Sequence, residues 1–171
     1  MARVPVLGLV VVSMISSACG APGIHDEEGV TVVLDTTAAF ARAPDFPPRF
    51  RSTIEAALRY WGGTWDDVSG RTVTLLDEAY VSCGNMQALG CFDGDIRITT
   101  RDPGIGTFPC VEATTLVHEV GHAVIGDPRH QDPRWMDMEA LAAELSGRTG
   151  YTDLGEGSCV TYPSVWRHPP D

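Results

Sequence analysis

Residues 118–122 have the sequence His-Glu-Val-Gly-His. Positions four apart lie on the same face of an α-helix, so His118 and His122 can offer their imidazoles to one metal ion. Glu119 follows the first histidine and can reach a water on that ion, for which it would serve as the general base. An ordinary helix that carries two surface or core histidines is the alternative interpretation.

The residues around this pentapeptide favour the metal site. Apolar side chains recur at helical spacing from Leu116 to Ile125, and Gly126 with the following Asp-Pro then ends the pattern. A purely structural helix would give Glu119 no reason to lie in an otherwise apolar segment. We therefore predict an active-site helix that binds Zn²⁺, with Glu119 as the catalytic residue.

The first 18 residues are typical of an export signal. Arg3 precedes an apolar run over 4–15, which is too short to span a bilayer as a stable helix. The run leads to Ser-Ser-Ala-Cys19, and small residues before a cysteine resemble the lipobox of bacterial lipoproteins. We predict a lipoprotein signal peptide over 1–18 and lipidation of Cys19. Secretory cleavage without lipid is the alternative.

These features predict an exported protein of the bacterial cell envelope, attached to the membrane through lipid alone, or otherwise secreted. Residues 19–29 are short and polar and predict a flexible tether, while 30–171 have the length of a single domain. The net charge is −11, and all twelve basic residues are arginines without a cluster. The electrostatic footprint of a nucleic-acid binder is therefore missing. We expect a monomer.

The four remaining cysteines predict two disulfides, because an exported chain folds in an oxidising compartment. Cys83 with Cys91 is the expected pair, since the glycines between them allow the chain to double back. Cys110 with Cys159 would then join the start of the metal helix to the C-terminal tail. A four-cysteine zinc site is disfavoured because no Cys-x-x-Cys pair occurs.

Hydrophobic patterning predicts the main elements. Three stretches are β-branched or alternating in the manner of strands: 30–34, 71–77 and 96–100. A helix is predicted from Arg49 to Trp61, where glycines follow, and a further helical candidate runs from Trp135 to Leu145. Residues 83–95 are loop-like, and 147–171 show little periodicity, which predicts a loop-rich C-terminal part.

The order strand–helix–strand–strand–helix, with the metal motif on its second helix, resembles the N-terminal subdomain of zincin metallopeptidases over roughly residues 30–140. The metzincin (matrixin-like) clan is the closest match. That clan has His-Glu-x-x-His-x-x-Gly-x-x-His, followed by a methionine under the metal. Here Gly126, His130 and Met136 follow in that order, with the glycine one residue late and the histidine two residues late.

The resemblance implies an α+β zincin-like fold in which a twisted mixed β-sheet packs against two main helices. It implies hydrolysis of peptide bonds in a peptide or protein substrate. It also implies a Met-turn at Met136, and an extended substrate lying along strand 96–100 as the edge of the sheet.

The third metal ligand has several candidates. Neutral imidazole is a good zinc ligand, and a Gly-Asp-Pro turn can reverse the chain, so His130 is the first choice beside the two helix histidines. Asp127 or Asp132 could supply an oxygen instead. In a gluzincin-like arrangement a glutamate from a later helix binds the metal, and Glu139 and Glu144 are then the candidates.

Two other functions stay open. One is an envelope-anchored binding module in which the zinc is structural or vestigial. The other is a zinc hydrolase of a non-peptide amide. Glu119 favours hydrolysis over the first of these, since a closed structural site has no use for a base.

Overall fold

The computed structural model describes residues 23–25, 29–36, 46–101, 110–138 and 141. These residues form a five-stranded mixed sheet, a two-stranded sheet and two α-helices. The prediction of an α+β fold with a mixed sheet and two main helices is confirmed. The predicted signal peptide over 1–18, with Cys19, lies outside the described residues. Among the helices that are described, none is both long and apolar enough to cross a membrane.

The strands follow one another along the chain as β1 (Gly23–His25), β2 (Thr31–Thr36), β3 (Thr72–Leu76), β4 (Val81–Cys83), β5 (Met86–Ala88), β6 (Gly90–Phe92) and β7 (Ile96–Thr99). The α-helices are α1 (Phe46–Trp61) and α2 (Ala113–Ile125), and two short 3-10 helices span Trp65–Val68 and Pro133–Met136.

The five-stranded sheet has the order β1-β2-β3-β7-β6. The three central strands are parallel, and Val73 of β3 pairs with Leu34 of β2 and Ile96 of β7. The outer strands β1 and β6 run antiparallel to their neighbours. The central strands resemble the predicted ones, and in β3 the alternation of Val73 and Leu75 places both side chains in the core.

Helix α1 buries an apolar face formed by residues at helical spacing. Pro47 and Pro48 occupy its first turn, where no intrahelical N–H donor is needed, so the helix begins before the predicted Arg49. It ends at Trp61 as predicted, and Gly62 follows with a φ of 74°. Left-handed backbone of this kind favours glycine and stops the helix.

The core lies between the sheet and the two helices, which also pack against each other. Its large fully buried side chains come from α1, β3, β7 and α2 and include Phe50, Ile54, Trp61, Leu75, Ile96, Ile98 and Leu116. Full burial of one such side chain stabilises the fold by about 1.5–3 kcal/mol. This packing fixes α2, the helix with the metal motif, over β6 and β7.

Two sequence predictions differ from the structure in and beside the sheet. The segment 83–95 is not a loop, because it contains β5 and β6 and the end of β4. Strand β7 is not an edge either, since it lies between β3 and β6. The sheet edge next to α2 is therefore β6 and not the predicted strand 96–100.

Two further segments also differ. Gly23–His25 fall within the predicted tether, and they pair with β2 instead. The helical candidate from Trp135 to Leu145 differs at its start, where a 3-10 helix spans Pro133–Met136, whereas Met138 and Leu141 are α-helical as predicted. Pro133 begins that helix, and Asp132 caps it by accepting a hydrogen bond from the backbone N–H of Arg134.

The disulfide between Cys83 and Cys91 is confirmed, with a Cα–Cα distance of 5.4 Å. It ties the end of β4 to the edge strand β6. Cys110 is also disulfide-bonded. Its predicted partner, Cys159, lies outside the described residues.

Candidate metal centre

Helix α2 is held in place at both ends. Glu112 lies at its N-cap, and its carboxylate accepts hydrogen bonds from the backbone N–H groups of Thr114 and Thr115 at 3.1 and 2.5 Å. The helix stops at Gly126, whose φ of 60° and whose N–H donated to the carbonyl of His122 close the last turn. These caps satisfy backbone groups that the helix itself leaves unpaired.

Three histidines meet at the C-terminal end of α2. The Nε2 atoms of His118 and His122 are 3.0 Å apart, and that of His130 lies 3.1 Å from His122. Potential ligand atoms of all three lie within 4.8 Å of one another. The three predicted histidines are therefore brought together in a group that could hold a metal ion.

Burial favours the neutral, metal-binding form of the two helix histidines. Burial, and then the neighbouring histidines, lower the pKa of His118 to about 4. Burial also lowers the pKa of His122, against an opposing hydrogen bond with the Asp127 backbone. Neutral imidazole is the metal-binding form, so both rings are ready to coordinate near pH 7.

His130 is held by a loop that is folded around one carboxylate, that of Asp127. Three backbone N–H groups donate to it, those of Arg129, Gln131 and Asp132, at 3.0, 2.5 and 3.0 Å. His130 itself lies between these donors with a φ of 53° and is the one described non-glycine residue with positive φ. The loop therefore holds His130 in an uncommon backbone conformation.

The alternative third ligands have different places. The carboxylate of Asp127 is occupied by the loop, and hydrogen bonds from the loop backbone lower its pKa, that from Asp132 most. The carboxylate of Asp132 accepts hydrogen bonds from Arg134, which lower the pKa of Asp132 to about 2. The histidine group includes neither aspartate. Glu139 and Glu144 lie outside the residues with described side chains.

Trp135 forms the floor of the site. Its ring centroid lies 4.8, 4.9 and 4.6 Å from those of His118, His122 and His130, and its side chain is 6% exposed. Met136, the predicted Met-turn residue, does not lie there, because its side chain is 84% exposed. The 3-10 helix turns the methionine outward and the tryptophan inward.

Gly121 gives the floor its space. A Cβ atom at this position would lie 2.6 Å from Trp61 and 2.8 Å from Trp135, which is closer than real contacts allow. The two indole rings contact each other with centroids 4.4 Å apart and their planes tilted by 48°. The sequence predicts Trp135 only as a core or rim aromatic, although a Met-turn comparison shifted by one residue would have found the floor.

Glu119 lies on the β6 side of α2. It is 5% exposed, and burial raises its pKa to about 7. Gly90 of β6 faces it so closely that a Cβ there would lie 2.5 Å from Oε1 of Glu119. Sequence analysis missed Gly90 because its segment showed no strand pattern.

An open cleft of about 440 Å³ connects these groups. The histidine group and Glu119 line one side, and residues of the β4–β5 hairpin, β6 and the His130 loop complete it, including Met86, Ala88, Gly90, Phe92 and Pro128. Glu119 is the only carboxylate among the lining residues. The cleft thus brings a buried carboxylate and a candidate metal group to one solvent-accessible surface.

Known proteins give no independent indication of what this site does. Protein-family models, curated proteins and solved structures were all compared with the chain, and none matches. The function must therefore be inferred from the histidine group, Glu119 and the cleft.

Proposed function

We propose that this protein is a zinc-dependent peptidase of the zincin type. One observation carries the proposal: three histidine Nε2 atoms converge on one side of an open cleft, which the buried carboxylate of Glu119 in α2 also lines. A catalytic zinc site commonly has three protein ligands and one open position. The ligands would be His118, His122 and His130.

The donor set fits zinc. Nitrogen ligands about 2.0–2.1 Å from a tetrahedral zinc ion are separated from one another by about 3.3 Å. The observed Nε2 separations of 3.0 and 3.1 Å are close to that spacing. A zinc ion held by these residues would supply a Lewis acid and would lower the pKa of water at an open position.

Glu119 would be the proton carrier. It accepts a proton from the attacking water and delivers it to the leaving amine. Burial has raised its pKa to about 7. A group with a pKa close to the working pH can both take and return a proton, whereas an ordinary glutamate returns it poorly.

The edge strand β6 supports a peptide substrate. Leu89 accepts a hydrogen bond from Thr99 on β7. Because antiparallel pairs alternate, the backbone groups of Gly90 and Phe92 then point away from β7, towards the outer edge of the sheet. An extended peptide can pair with such an edge, while a small non-peptide amide would not use it.

A structural role for the metal is less well supported. A closed structural zinc site takes four protein ligands, and the histidine group found in the described part of the chain has three. The cleft also leaves the group open to solvent. Both features favour a working hydrolytic centre over an envelope-binding module.

The proposed setting is the cell envelope. The disulfide between Cys83 and Cys91, and the disulfide-bonded Cys110, suit an oxidising compartment outside the cytosol. We propose attachment through a lipid on Cys19, as the sequence of the leader predicts.

Glu119→Gln tests this function. The variant should retain the zinc content of the wild type, because Glu119 is not a ligand. Its hydrolysis of an unfolded protein substrate should fall about 10²- to 10⁴-fold. Glu78→Gln, the same chemical change at an exposed position, is the matched control and should keep full activity. Wild-type hydrolysis by Glu119→Gln would contradict the proposal.

A further inference from the structure

The position of the third proposed ligand needs a physical explanation that the positions of the first two do not. His118 and His122 are fixed by the helix on which they lie. His130 follows the end of that helix, is exposed, and has a left-handed φ of 53°. A non-glycine residue keeps such a conformation only where the surrounding structure imposes it. Something other than secondary structure must therefore hold its ring towards the other two.

Asp127 supplies one half of that restraint. Its carboxylate accepts the backbone N–H groups on either side of His130, from Arg129 and Gln131, and also that of Asp132. Hydrogen bonds to a charged acceptor are about twice as strong as neutral ones. The backbone around His130 is thus closed around a single carboxylate.

Trp135 supplies the other half. Its indole ring contacts all three imidazoles, with centroid distances between 4.6 and 4.9 Å. Its Nε1–H donates a hydrogen bond of 3.2 Å to Oδ2 of Asp127. The same oxygen accepts from Gln131 and Asp132. The floor beneath the rings and the loop that carries His130 therefore share one acceptor atom.

The floor is itself anchored to the core. The ring of Trp61 in α1 packs against that of Trp135, and its own Nε1–H donates to the carbonyl of Val117 in α2 at 2.8 Å. Arg134 donates to the carbonyl of Trp61 at 2.6 Å, while Tyr60 donates to the carbonyl of Arg134 at 2.5 Å. These contacts fix Trp135 relative to both helices.

We propose that Asp127 and Trp135 are positioning residues that hold the three imidazoles in their metal-binding arrangement before the metal binds. A ligand loop that is ordered in advance does not have to be ordered by the metal, so affinity rises. Partners behind metal ligands typically change affinity by about 10- to 100-fold. The inference rests on the metal site of the proposed function and not on peptide hydrolysis.

Cobalt binding to the metal-free protein tests the inference. Co²⁺ serves as the probe, and the visible absorption of the bound ion reports the geometry of its ligands. Trp135→Phe keeps a ring under the imidazoles but loses the N–H donor to Asp127. Asp127→Ala removes the acceptor. Trp65→Phe is the matched control. Trp65 begins the 3-10 helix Trp65–Val68, its ring packs against Arg51 of α1, and it is not among the histidine contacts.

We expect Trp135→Phe to weaken Co²⁺ binding about 10-fold and Asp127→Ala to weaken it about 10- to 100-fold. Both should alter the visible spectrum of the bound ion, which general destabilisation would not do. Trp65→Phe should match the wild type in affinity and spectrum. Circular dichroism of each metal-free variant identifies any that do not fold, and Asp127→Asn replaces Asp127→Ala if the latter does not.

The outcomes separate this inference from the proposed function. Wild-type affinity and spectrum in both Trp135→Phe and the Asp127 variant would overturn the positioning roles while leaving the metal site intact. A wild-type protein that binds no Co²⁺ would overturn the metal site, and the positioning roles with it. Bound Co²⁺ without peptide hydrolysis would overturn the peptidase function alone.

Discussion

Helix α2 and the loop from Gly126 to Asp132 supply histidines to the same candidate metal group by different means. In the helix, the backbone fixes the spacing of His118 and His122, and any sequence that forms the helix brings these two rings together. In the loop, one carboxylate gathers the backbone around His130. Helical spacing of histidines can therefore be recognised in a sequence, whereas the position of a loop histidine depends on contacts that the sequence does not display.

The largest expected effect is the loss of zinc affinity when a histidine is removed. It tests whether the helix and the loop contribute equally to metal binding. His122→Ala and His130→Ala each remove one of the three proposed ligands, so both should lower zinc affinity by at least about 10³-fold, beyond the loss typical of outer partners. Competition with a chelator measures the affinity. Gln131→Ala, a change at the next exposed position of the same loop, should leave it unchanged.

A loop that supplies no ligand would give a different result. Zinc affinity of His130→Ala within about 10-fold of the wild type, beside a large loss in His122→Ala, would mean that another residue completes the site. Glu139 and Glu144 would then be the next candidates. The helix histidines would remain proposed ligands, and His130 would not.

A smaller effect concerns stability, because the pKa values of a carboxylate in the helix and of one in the loop shift in opposite directions. Burial raises the pKa of Glu119 in the helix to about 7, while hydrogen bonds lower that of Asp127 in the loop. For the metal-free protein, the native state holds the Glu119 proton between pH 4.5 and about 7, where the unfolded chain has released it. The contribution of Glu119 to stability therefore falls as pH rises through this window, whereas that of His118, whose pKa is lowered to about 4, rises over part of it.

Comparison of the wild type with Glu119→Gln isolates the contribution of Glu119 to this pH dependence. In metal-free Glu119→Gln the side chain cannot ionise, so at pH 8 the variant should be more stable than the wild type by up to about 3 kcal/mol, and at pH 4.5 nearly equal. Urea unfolding in the presence of a chelator at both pH values measures the difference. Glu78→Gln should show no such pH-dependent gain. Equal stability of wild type and Glu119→Gln at pH 8 would contradict the buried, proton-retaining carboxylate.

Much of the fold was predictable because its elements have strong local patterns. The apolar spacing of α1 ends at Gly62, and the alternation around Val73 marks β3. Both patterns come from burial of one face, which leaves a periodic trace in the sequence. The pair Cys83–Cys91 was also predictable, since a short turn-rich segment separates the two cysteines.

The strands within 83–95 were not predictable from periodicity. Strands β5 and β6 have three residues each, which is too few for an alternating pattern to emerge, and Gly90 begins β6 where propensity disfavours a strand. The close contact between Gly90 and Glu119 requires a residue without a side chain. Missing β6 also made β7 look like the edge of the sheet.

The candidate site was likewise predictable in its helical part but not in its floor and loop. Helical spacing was enough to bring His118, Glu119 and His122 together in the prediction. The floor was assigned to Met136, whereas Trp135 occupies it, because one residue of register in a short 3-10 helix decides which side chain points inward. The role of Asp127 was also hidden, since hydrogen bonds to backbone N–H groups leave no residue-type pattern.

X-ray absorption at the zinc edge is the most direct test of the central claim, that helix and loop together form a three-histidine zinc site with an open position. The purified wild-type protein should bind about one zinc per chain. Its spectrum should show three imidazole nitrogens at about 2.0–2.1 Å and one further oxygen or nitrogen ligand from solvent. A first shell with only two imidazoles, or with sulfur at about 2.3 Å, would contradict the account.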